Sequence, residues 1–200
     1  MLAPGERTQL GLRERKKAKT RAAIQRHALR LFREQGYEAT TVSQIAEAAE
    51  ISPSTFFRYF PTKEDVALYD DLDPFFIAAF EAQPPELNPF QAMRGALREV
   101  FTSLPAQDIA TQWERARLAM AVPELRMRML DQVAESVTLM AEMLAQRVGR
   151  RADEIEVLAF SGAVVGTLMA VFLTGLKDPN ADFIALMDQS LAYLEAGMPL

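Results

Sequence analysis

The sequence predicts an all-α protein of about nine helices, and three observations support this fold class. Proline and glycine residues divide the chain into segments of helical length. Within these segments, apolar residues recur at intervals of three and four residues, as they do along one face of an α-helix. Apolar and polar residues alternate nowhere for long enough to predict a β-strand.

Composition limits the chemistry that this chain can perform. Among 200 residues, half of them hydrophobic, there is no cysteine and a single histidine, His27. These counts exclude a disulfide scaffold, a thiol nucleophile, a histidine-based catalytic triad and a multi-histidine zinc site. The N-terminal residues lack the apolar core of a signal peptide, so we expect a cytoplasmic protein.

Charge divides the chain into two parts. Residues 1–63 carry twelve Lys and Arg against six Asp and Glu, whereas residues 64–200 carry ten against twenty-one. Such asymmetry predicts a basic module that meets a polyanion, joined to an acidic module with another task. We place the domain boundary after residue 61, which gives domains 1–61 and 62–200.

The first helix coincides with the basic stretch near the N-terminus. Ile24, Ala28 and Phe32 lie at helical spacing along it, and Gly36 is the stop signal at its C-terminus. His27 falls between these apolar residues, so we expect it at the edge of the core rather than in a pH sensor.

Capping signals mark the helices that follow. Thr41–Gln44 fits a capping box, in which each side chain bonds a backbone N–H group of the other residue. Ser52 caps a third helix with Pro53 at its first position, and Pro61 ends that helix. Thr62 begins the next, and we expect six longer helices from there, at 62–82, 88–104, 106–121, 124–149, 153–176 and 181–196.

Short second and third helices joined by a tight turn predict a helix-turn-helix, whose third helix enters the DNA major groove. Phe56 and Phe60 are four residues apart, so both can pack inward from one face of that helix. Small hydroxyl side chains on the other face allow close approach to DNA, and arginine binds phosphate or guanine. The residues that we expect to project outward are Ser54, Thr55, Phe57, Arg58 and Tyr59.

The segment AAIQRHALRLFREQGYEATTVSQIAEAAEISPSTFFRYFPTKEDV resembles the DNA-binding domain of the TetR family of bacterial repressors, and the resemblance covers about residues 13–68. It implies an obligate homodimer, a helical C-terminal domain with an inducer pocket, and dimerisation through the last two long helices. Carried over by position, the recognition-helix contacts are Pro53, Ser54, Thr55, Phe57, Arg58 and Tyr59. The implied phosphate contacts are Thr41, Ser43 and Lys63.

Two features adjoin this motif. Many relatives have a glycine before the recognition helix, where this chain has Glu50; a left-handed conformation there would cost about 1 kcal/mol. Arg13, Lys16 and Lys17 precede the packed part of the first helix, where a basic arm could reach the minor groove or flanking phosphates. The alternative for these cations is a solvated helix start.

Residues 157–176 form a run of twenty without a charge, which is long enough to cross a membrane. Acidic residues precede the run and no polybasic segment flanks it, so we expect no membrane partner. A helix that is apolar all round is more often buried in a core or a dimer. Packed with the last helix and their symmetry mates, it predicts a four-helix dimer interface. The interface residues we expect are Gly162, Gly166, Met187 and Leu191.

Nine of the ten methionines follow residue 90, and methionine is over-used on adaptable binding surfaces. Ordinary core filling is the alternative for each of them. Trp113, Arg117 and Met120 share a helix face, which would suit an apolar ligand with an anionic group. The cavity residues that we expect are Phe101, Trp113, Arg117, Met120, Leu139, Met140, Met143, Phe160 and Met169.

The segment TQWERARLAMAVPELRMRMLDQV is similar to a TetR subgroup, including regulators of mycofactocin systems, whose C-terminal domain is described as binding acyl-CoA-like ligands. We therefore expect a ligand-responsive repressor that binds double-stranded operator DNA as a homodimer and is released by an apolar, acyl-type effector. A DNA-binding dimer without an effector is the alternative. We expect no catalytic residues, no cofactor and no metal site, because the chain shows no nucleophile with a base and no defined ligand set.

Overall fold

The computed structural model describes residues 12–69, 72–178 and 181–199, including all their side chains except those of residues 12–15, 106 and 107. The described residues form ten α-helices and no strand, which confirms the all-α class. The chain divides into two compact units between residues 69 and 70. The predicted boundary after residue 61 was eight residues earlier, because the fourth helix packs against the first.

Four helices make the N-terminal unit. The first packs against the second and the fourth, and the second packs against the third. Their apolar side chains meet in a closed core, in which Ile24, Ile45 and Phe56 have no exposed surface. The helices are α1 (Leu12–Gln35), α2 (Val42–Ala48), α3 (Pro53–Tyr59) and α4 (Lys63–Leu68).

Side-chain caps begin three of these helices, as the sequence predicted. Thr41 accepts a hydrogen bond from the Gln44 N–H group at 3.3 Å and its own N–H donates to Gln44 Oε1 at 2.8 Å. Ser52 Oγ accepts from the N–H of Thr55 at 3.1 Å, and Thr62 forms a second capping box with Asp65. Each cap satisfies N–H groups that have no partner within the helix.

Positive φ angles occur in two of the three connections of this unit. Gly36 has φ of 87° and ends α1, with its N–H bonded to the Phe32 carbonyl. Glu50 has φ of 54° in the turn between α2 and α3, which confirms the left-handed conformation expected there. A side chain at such an angle is strained relative to glycine.

The predicted helix 62–82 was wrong: the described residues form two helices there, one ending at Leu68 and the next beginning at Asp73. Tyr69 leaves the helical conformation at the end of α4, with φ of −54° and ψ of 122°, and its carbonyl accepts a hydrogen bond from Gln25 Nε2 at 2.8 Å. Pro74 lies in the first turn of the next helix, where the absence of its N–H group costs nothing. This proline prevents one continuous helix and explains the tenth helix.

Six helices make the C-terminal unit. Among them α8 packs against α9, α9 against α10, and α6 against both α5 and α10. The core includes Ala92, Met93, Val164 and Leu191, all of them fully buried. The helices are α5 (Asp73–Glu81), α6 (Pro89–Ser103), α7 (Ala106–Ala121), α8 (Pro123–Val148), α9 (Ile155–Lys177) and α10 (Phe183–Glu195).

Candidate DNA-binding face and effector domain

Helix α3 is anchored by two inward phenylalanines, Phe56 within it and Phe60 directly after it. Phe56 and Phe60 are 0% and 1% exposed, and their ring centroids lie 6.0 Å apart. Tyr69 packs edge-on against Phe60 at 5.5 Å, so the end of α4 supports the end of α3. The predicted inward face of α3 is therefore the observed one, and the opposite face is free to meet a partner.

Half of the predicted DNA contacts belong to α3. Pro53, Ser54, Phe57 and Arg58 are exposed. Thr55 and Tyr59 are half-buried at the edges of its outward face. The Arg58 guanidinium lies 5.5 Å from the centre of the Tyr59 ring, a cation–π contact.

The side chains predicted to contact phosphates differ in whether they already form hydrogen bonds to other protein groups. Ser43 is exposed, whereas the Thr41 hydroxyl is engaged with Gln44 in the capping box. Lys63 Nζ donates to the carbonyls of Tyr37 and Thr40 at 2.9 and 3.2 Å, and it lies 4.0 Å from the centre of the Tyr37 ring. Lys63 thus braces α4 against the loop before α2, a role that the sequence did not reveal.

The basic arm is part of α1. Lys16 and Lys17 are exposed on its first turns, and the backbone of Arg13 belongs to the same helix. The side chain of Arg13 lies outside the described residues. Exposed cations at this end of α1 are available to phosphates without breaking any hydrogen bond of the core.

Four aromatic rings in the C-terminal unit form a continuous chain. Phe101 contacts Phe183 at 5.6 Å between ring centroids, Phe183 contacts Trp113 at 5.0 Å, and Trp113 stacks on Phe172 at 5.9 Å. They connect α6, α10, α7 and α9. A methyl group on Gly175 would lie 2.5 Å from the Trp113 ring, so the indole fits closely against the α9 backbone.

The other predicted cavity residues are distributed over the same unit. Met140 and Met143 are buried in the core, and Leu139 and Phe160 pack against it, with Phe160 4.5 Å from Phe90. Met120 and Met169 are half-buried. These residues do not converge with Trp113 on one described cavity, so their role as a ligand pocket stays a prediction.

The buried arginine of α7 differs from Arg117, which was predicted beside the pocket. Arg117 is exposed, whereas Arg115 is 9% exposed, on the face of α7 that also buries Ala116 and Ala119. Residues two apart point to nearly opposite sides of a helix, so only one of the two can face inward. The small residues at 116 and 119 mark this side of α7 in the sequence, but they do not tell whether other helices cover it.

Half of the predicted dimer residues face outward. Gly162 and Gly166 are exposed on α9, and a Cβ atom at either would meet nothing within 4 Å. Met187 and Leu191 were wrongly assigned: they are 3% and 0% exposed in the core of their own protomer, against α6 and α9. The exposed large apolar residue of α10 is Tyr193.

An arginine-centred network fixes α10 in this orientation. Arg94 of α6 binds both carboxylate oxygens of Asp188 at 2.9 Å and also contacts Glu195 at 3.3 Å. Asn88 donates to the same Glu195 at 2.7 Å. Hydrogen bonds from Arg94 lower the pKa of Asp188, and the bond from Asn88 is the main cause of the lowered pKa of Glu195.

Helix α9 also has the length and composition of a membrane span, but the core helix of a soluble protein can have the same length and composition. Only 28% of its most apolar stretch is buried within the protomer, and Ile155, Leu158 and Leu173 are exposed. Across the described ranges, no group of three acidic or histidine residues is placed to hold a metal ion.

Family models match both units of the chain. Residues 24–69 match the model for bacterial regulatory proteins of the TetR family, and residues 87–199 match a TetR-type model described as the MftR C-terminal domain. This chain belongs to the TetR family. It is a transcriptional regulator with an N-terminal DNA-binding domain and a C-terminal ligand-binding domain.

Individual TetR-family relatives agree with this assignment. The HTH-type transcriptional regulator TcmR of Streptomyces glaucescens is 43% identical over 151 residues, which are 72% of this chain and 67% of TcmR. MftR of Mycobacterium tuberculosis, whose name assigns it to the regulation of mycofactocin biosynthesis, is 21% identical over 92% of this chain and 93% of its own. These relatives are regulators rather than enzymes.

A solved TetR-fold structure supports the same fold. FadR of Bacillus subtilis, determined in complex with stearoyl-CoA, covers 89% of this chain and 99% of its own, with a TM-score of 0.59 and 22% identity. At that identity the likeness concerns the fold, in which a TetR-family helix-turn-helix precedes a larger helical domain.

Proposed function

We propose that this TetR-family chain is a dimeric repressor, which binds a palindromic operator and is released by a small effector with an apolar body and an anionic group. The observation that carries the proposal is the face of α3 formed by Ser54, Phe57 and Arg58. It is exposed on a helix whose start is capped and whose other face is buried. A short helix held in this way can enter the major groove without rearrangement.

Dimerisation is supported by the outward face of α9. Ile155, Leu158 and Leu173 are exposed apolar residues on this helix, and Gly162 and Gly166 lie between them. A second copy packed on this face would remove it from water, and the glycines would allow close approach of two helices. Two recognition helices about 34 Å apart would then meet successive major grooves.

An apolar, anionic effector is supported by the composition of the C-terminal unit. Trp113 and the methionines Met140 and Met143 supply an adaptable apolar interior, and Arg115 places a cation inside the same unit. Arginine is well suited to carboxylate and phosphate groups. Stearoyl-CoA, the ligand named for FadR of Bacillus subtilis, has this combination of an apolar chain and an anionic head.

Release would follow from a shift between two states of the dimer. Effector binding would favour the state whose recognition helices no longer match the operator spacing. Since α4 is tied to α1 by Gln25 and Arg21, any movement that reaches Tyr69 would be passed to the DNA-binding unit. Linkage then requires operator DNA to weaken effector binding by the same factor by which effector weakens DNA binding. We place this regulator in the cytoplasm, without a membrane partner or catalysis.

A DNA-binding dimer without an effector is the second candidate. The close fit of Trp113 against Gly175 favours it, because the stacked rings of Trp113 and Phe172 already fill the space between α7 and α9. The two candidates differ in one observable. The effector-responsive protein changes the fluorescence of Trp113, its single tryptophan, when an apolar anion binds, and the other does not.

Fluorescence anisotropy tests the DNA-binding proposal. The purified protein is titrated onto its own upstream DNA and onto a scrambled duplex, across a series of salt concentrations. We expect tight binding to the upstream DNA and weak, steeply salt-dependent binding to the scrambled duplex. Arg58→Ala should reduce specific binding about tenfold or more, whereas Arg126→Ala, at an exposed arginine of α8, should leave it unchanged. Equal binding to both duplexes contradicts the proposal of a specific repressor acting there.

The same complex serves to test the effector. Stearoyl-CoA, shorter acyl-CoAs and free fatty acids are added to the preformed DNA complex while anisotropy and Trp113 fluorescence are recorded together. Release of DNA with a change of fluorescence supports the effector-responsive repressor. A specific DNA complex that none of these compounds changes would favour the dimer without an acyl-type effector.

A further inference from the structure

Phe57 is the apolar centre of the outward face of α3. It is 51% exposed, whereas Phe56 and Phe60 of the same aromatic motif are buried. Ser54 precedes it by three residues and Arg58 follows it, so a small polar residue and a cation border the ring. A large apolar side chain in this position leaves apolar surface in water unless a partner covers it.

The ring of Phe57 is also held in place. It meets Phe56 edge to face, with ring centroids 5.5 Å apart and planes at 88°. Phe56 has no exposed surface and is fixed in the core, so Phe57 rests against a rigid neighbour. A preoriented ring loses little conformational freedom when it is covered.

The chemistry of the ring limits what it can recognise in DNA. A phenyl group neither donates nor accepts conventional hydrogen bonds, so it cannot read guanine, adenine or cytosine through their polar edges. In the major groove the apolar group available to it is the C5 methyl of thymine. Arg58, drawn toward the Tyr59 ring at 5.5 Å, leaves the central position to Phe57.

We infer that Phe57 is a specificity-determining residue, whose ring packs against the C5 methyl of a thymine in each operator half-site. This inference rests on the proposed function, because it requires α3 to lie in the major groove. The occupant is DNA rather than a protein because this unit is the basic part of the chain: residues 1–63 carry twelve Lys and Arg against six Asp and Glu.

The test begins without knowledge of the operator. The full-length protein selects duplexes from a random pool, and the enriched sequence defines the half-sites. Each thymine of a selected site is then replaced by deoxyuridine, which removes the C5 methyl and leaves the hydrogen-bonding groups unchanged. Affinities are measured for the wild type, for Phe57→Ala and for Phe57→Leu. A second matched variant, Phe75→Ala, removes an exposed phenylalanine from α5, in the other unit.

We expect one thymine position in each half-site to depend on its methyl group through Phe57. Deoxyuridine there should weaken wild-type binding about fourfold in one half-site and about fifteenfold in both, the effect of exposing one or two methyl groups. Phe57→Ala should weaken binding to the thymine operator by at least that factor and respond no further to deoxyuridine. Phe57→Leu should keep part of the methyl dependence, and Phe75→Ala should keep all of it.

Each outcome separates the inference from the function on which it rests. A selected operator whose methyl dependence is the same in the wild type and in Phe57→Ala overturns the inference and leaves the specific regulator intact. Weaker binding of Phe57→Ala to every duplex alike does the same, because it indicates contact with sugar and phosphate. A pool in which no sequence is enriched contradicts the proposed function itself. Equal melting temperatures of the wild type and Phe57→Ala show that the variant is folded.

Discussion

Side chains cap the short helices of the N-terminal unit, but not the longest helices of the C-terminal unit. In the N-terminal unit, Thr41, Ser52 and Thr62 each accept a hydrogen bond from a backbone N–H at the start of a helix of six or seven residues. In the C-terminal unit, Asn88 and Asp182 cap α6 and α10, but the N-caps of its three longest helices, α7, α8 and α9 with 16, 26 and 23 residues, make no side-chain hydrogen bond. Short helices have few internal bonds and depend on caps, whereas long helices depend on burial along their length.

The units differ as well in what they leave exposed. In the N-terminal unit one large apolar residue, Phe57, is exposed among the described side chains, on the face proposed for DNA. The C-terminal unit exposes a series of them on α9, including Ile155 at 73%. The N-terminal unit is therefore complete as a folded body, while the C-terminal unit leaves an apolar helix face for a second copy to cover.

Gly166→Glu should have the largest effect, on dimerisation and on DNA affinity, because it places a charge on the exposed apolar face of α9. Space around Gly166 is open within the protomer, so the variant can fold, yet its carboxylate would be buried in the dimer. An unpaired buried charge costs several kcal/mol, which predicts monomers at micromolar concentration and a loss of about 100-fold in DNA affinity. Sedimentation velocity measures the first effect and anisotropy the second.

The matched control for that variant is Gln146→Glu, which adds the same charge at an exposed position of α8. It should remain dimeric and bind DNA as the wild type does. A dimer formed by Gly166→Glu with wild-type affinity would mean that α9 does not form the interface, and the contrast between a complete and an incomplete unit would lose its support.

Gly175→Ala should have the next largest effect, since it tests packing inside the C-terminal unit. The added methyl would lie 2.5 Å from the Trp113 ring, and overpacking of this kind costs about 1–3 kcal/mol. We expect a lower melting temperature and altered Trp113 fluorescence. The double variant Gly175→Ala with Trp113→Phe should recover part of the loss, because the smaller ring vacates the contact. An unchanged melting temperature of Gly175→Ala would indicate that Trp113 moves readily, as a residue beside a ligand space would.

The same difference between the units explains what could be predicted from the sequence. Caps and turns are local signals, so the starts of α2, α3 and α4, the stop at Gly36 and the strained φ of Glu50 were all predicted correctly. The inward and outward faces of α3 followed from its four-residue spacing alone. In each case the residues that determine the structure are a few positions apart in the chain.

Errors arose where a helix had to be oriented against distant partners. Met187 and Leu191 share a face of α10, but periodicity does not tell whether that face meets the core or a second copy. Arg94 decides it, from about ninety residues away, by holding Asp188 against α6. Arg115 was missed for the same reason: the sequence marks two sides of α7 without saying which one the other helices cover. No pattern of spacing carries that information.

Arg94→Gln tests whether Arg94 fixes the orientation of α10, and we expect a loss of stability of intermediate size. The variant leaves Asp188 and Glu195 without their arginine partner, which predicts a loss of about 1–2 kcal/mol and a melting temperature lower by roughly 2–8 °C. Arg98→Gln is the matched control, because Arg98 bonds the same Asp188 but is 60% exposed. It should change stability by about 0.5 kcal/mol or less. Equal effects of the two variants would contradict the special role of Arg94.

Acid should abolish the difference between Arg94→Gln and the wild type. Because the pKa values of Asp188 and Glu195 are lowered in the folded protein, their contribution is complete above the ordinary carboxyl range near pH 4 and is lost as pH falls through the lowered values. The wild type should therefore lose stability below about pH 4 more steeply than Arg94→Gln does. Thermal melts from pH 7 to pH 3 measure both slopes, and parallel slopes would contradict the assignment.

Glu50→Gly should have the smallest effect on the free energy of unfolding, and it should raise that free energy rather than lower it. The reason is that glycine removes the backbone strain of the turn between α2 and α3. Relief of the left-handed φ of 54° should stabilise the N-terminal unit by about 1 kcal/mol. Glu50→Ala retains the strain and removes only the carboxylate, so it should not share the gain. If the carboxylate also repels phosphate, both variants should bind a scrambled duplex more tightly than the wild type does. Stability that rises equally in both variants would assign the effect to charge, and the N-terminal unit would then carry no backbone strain at this turn worth relieving.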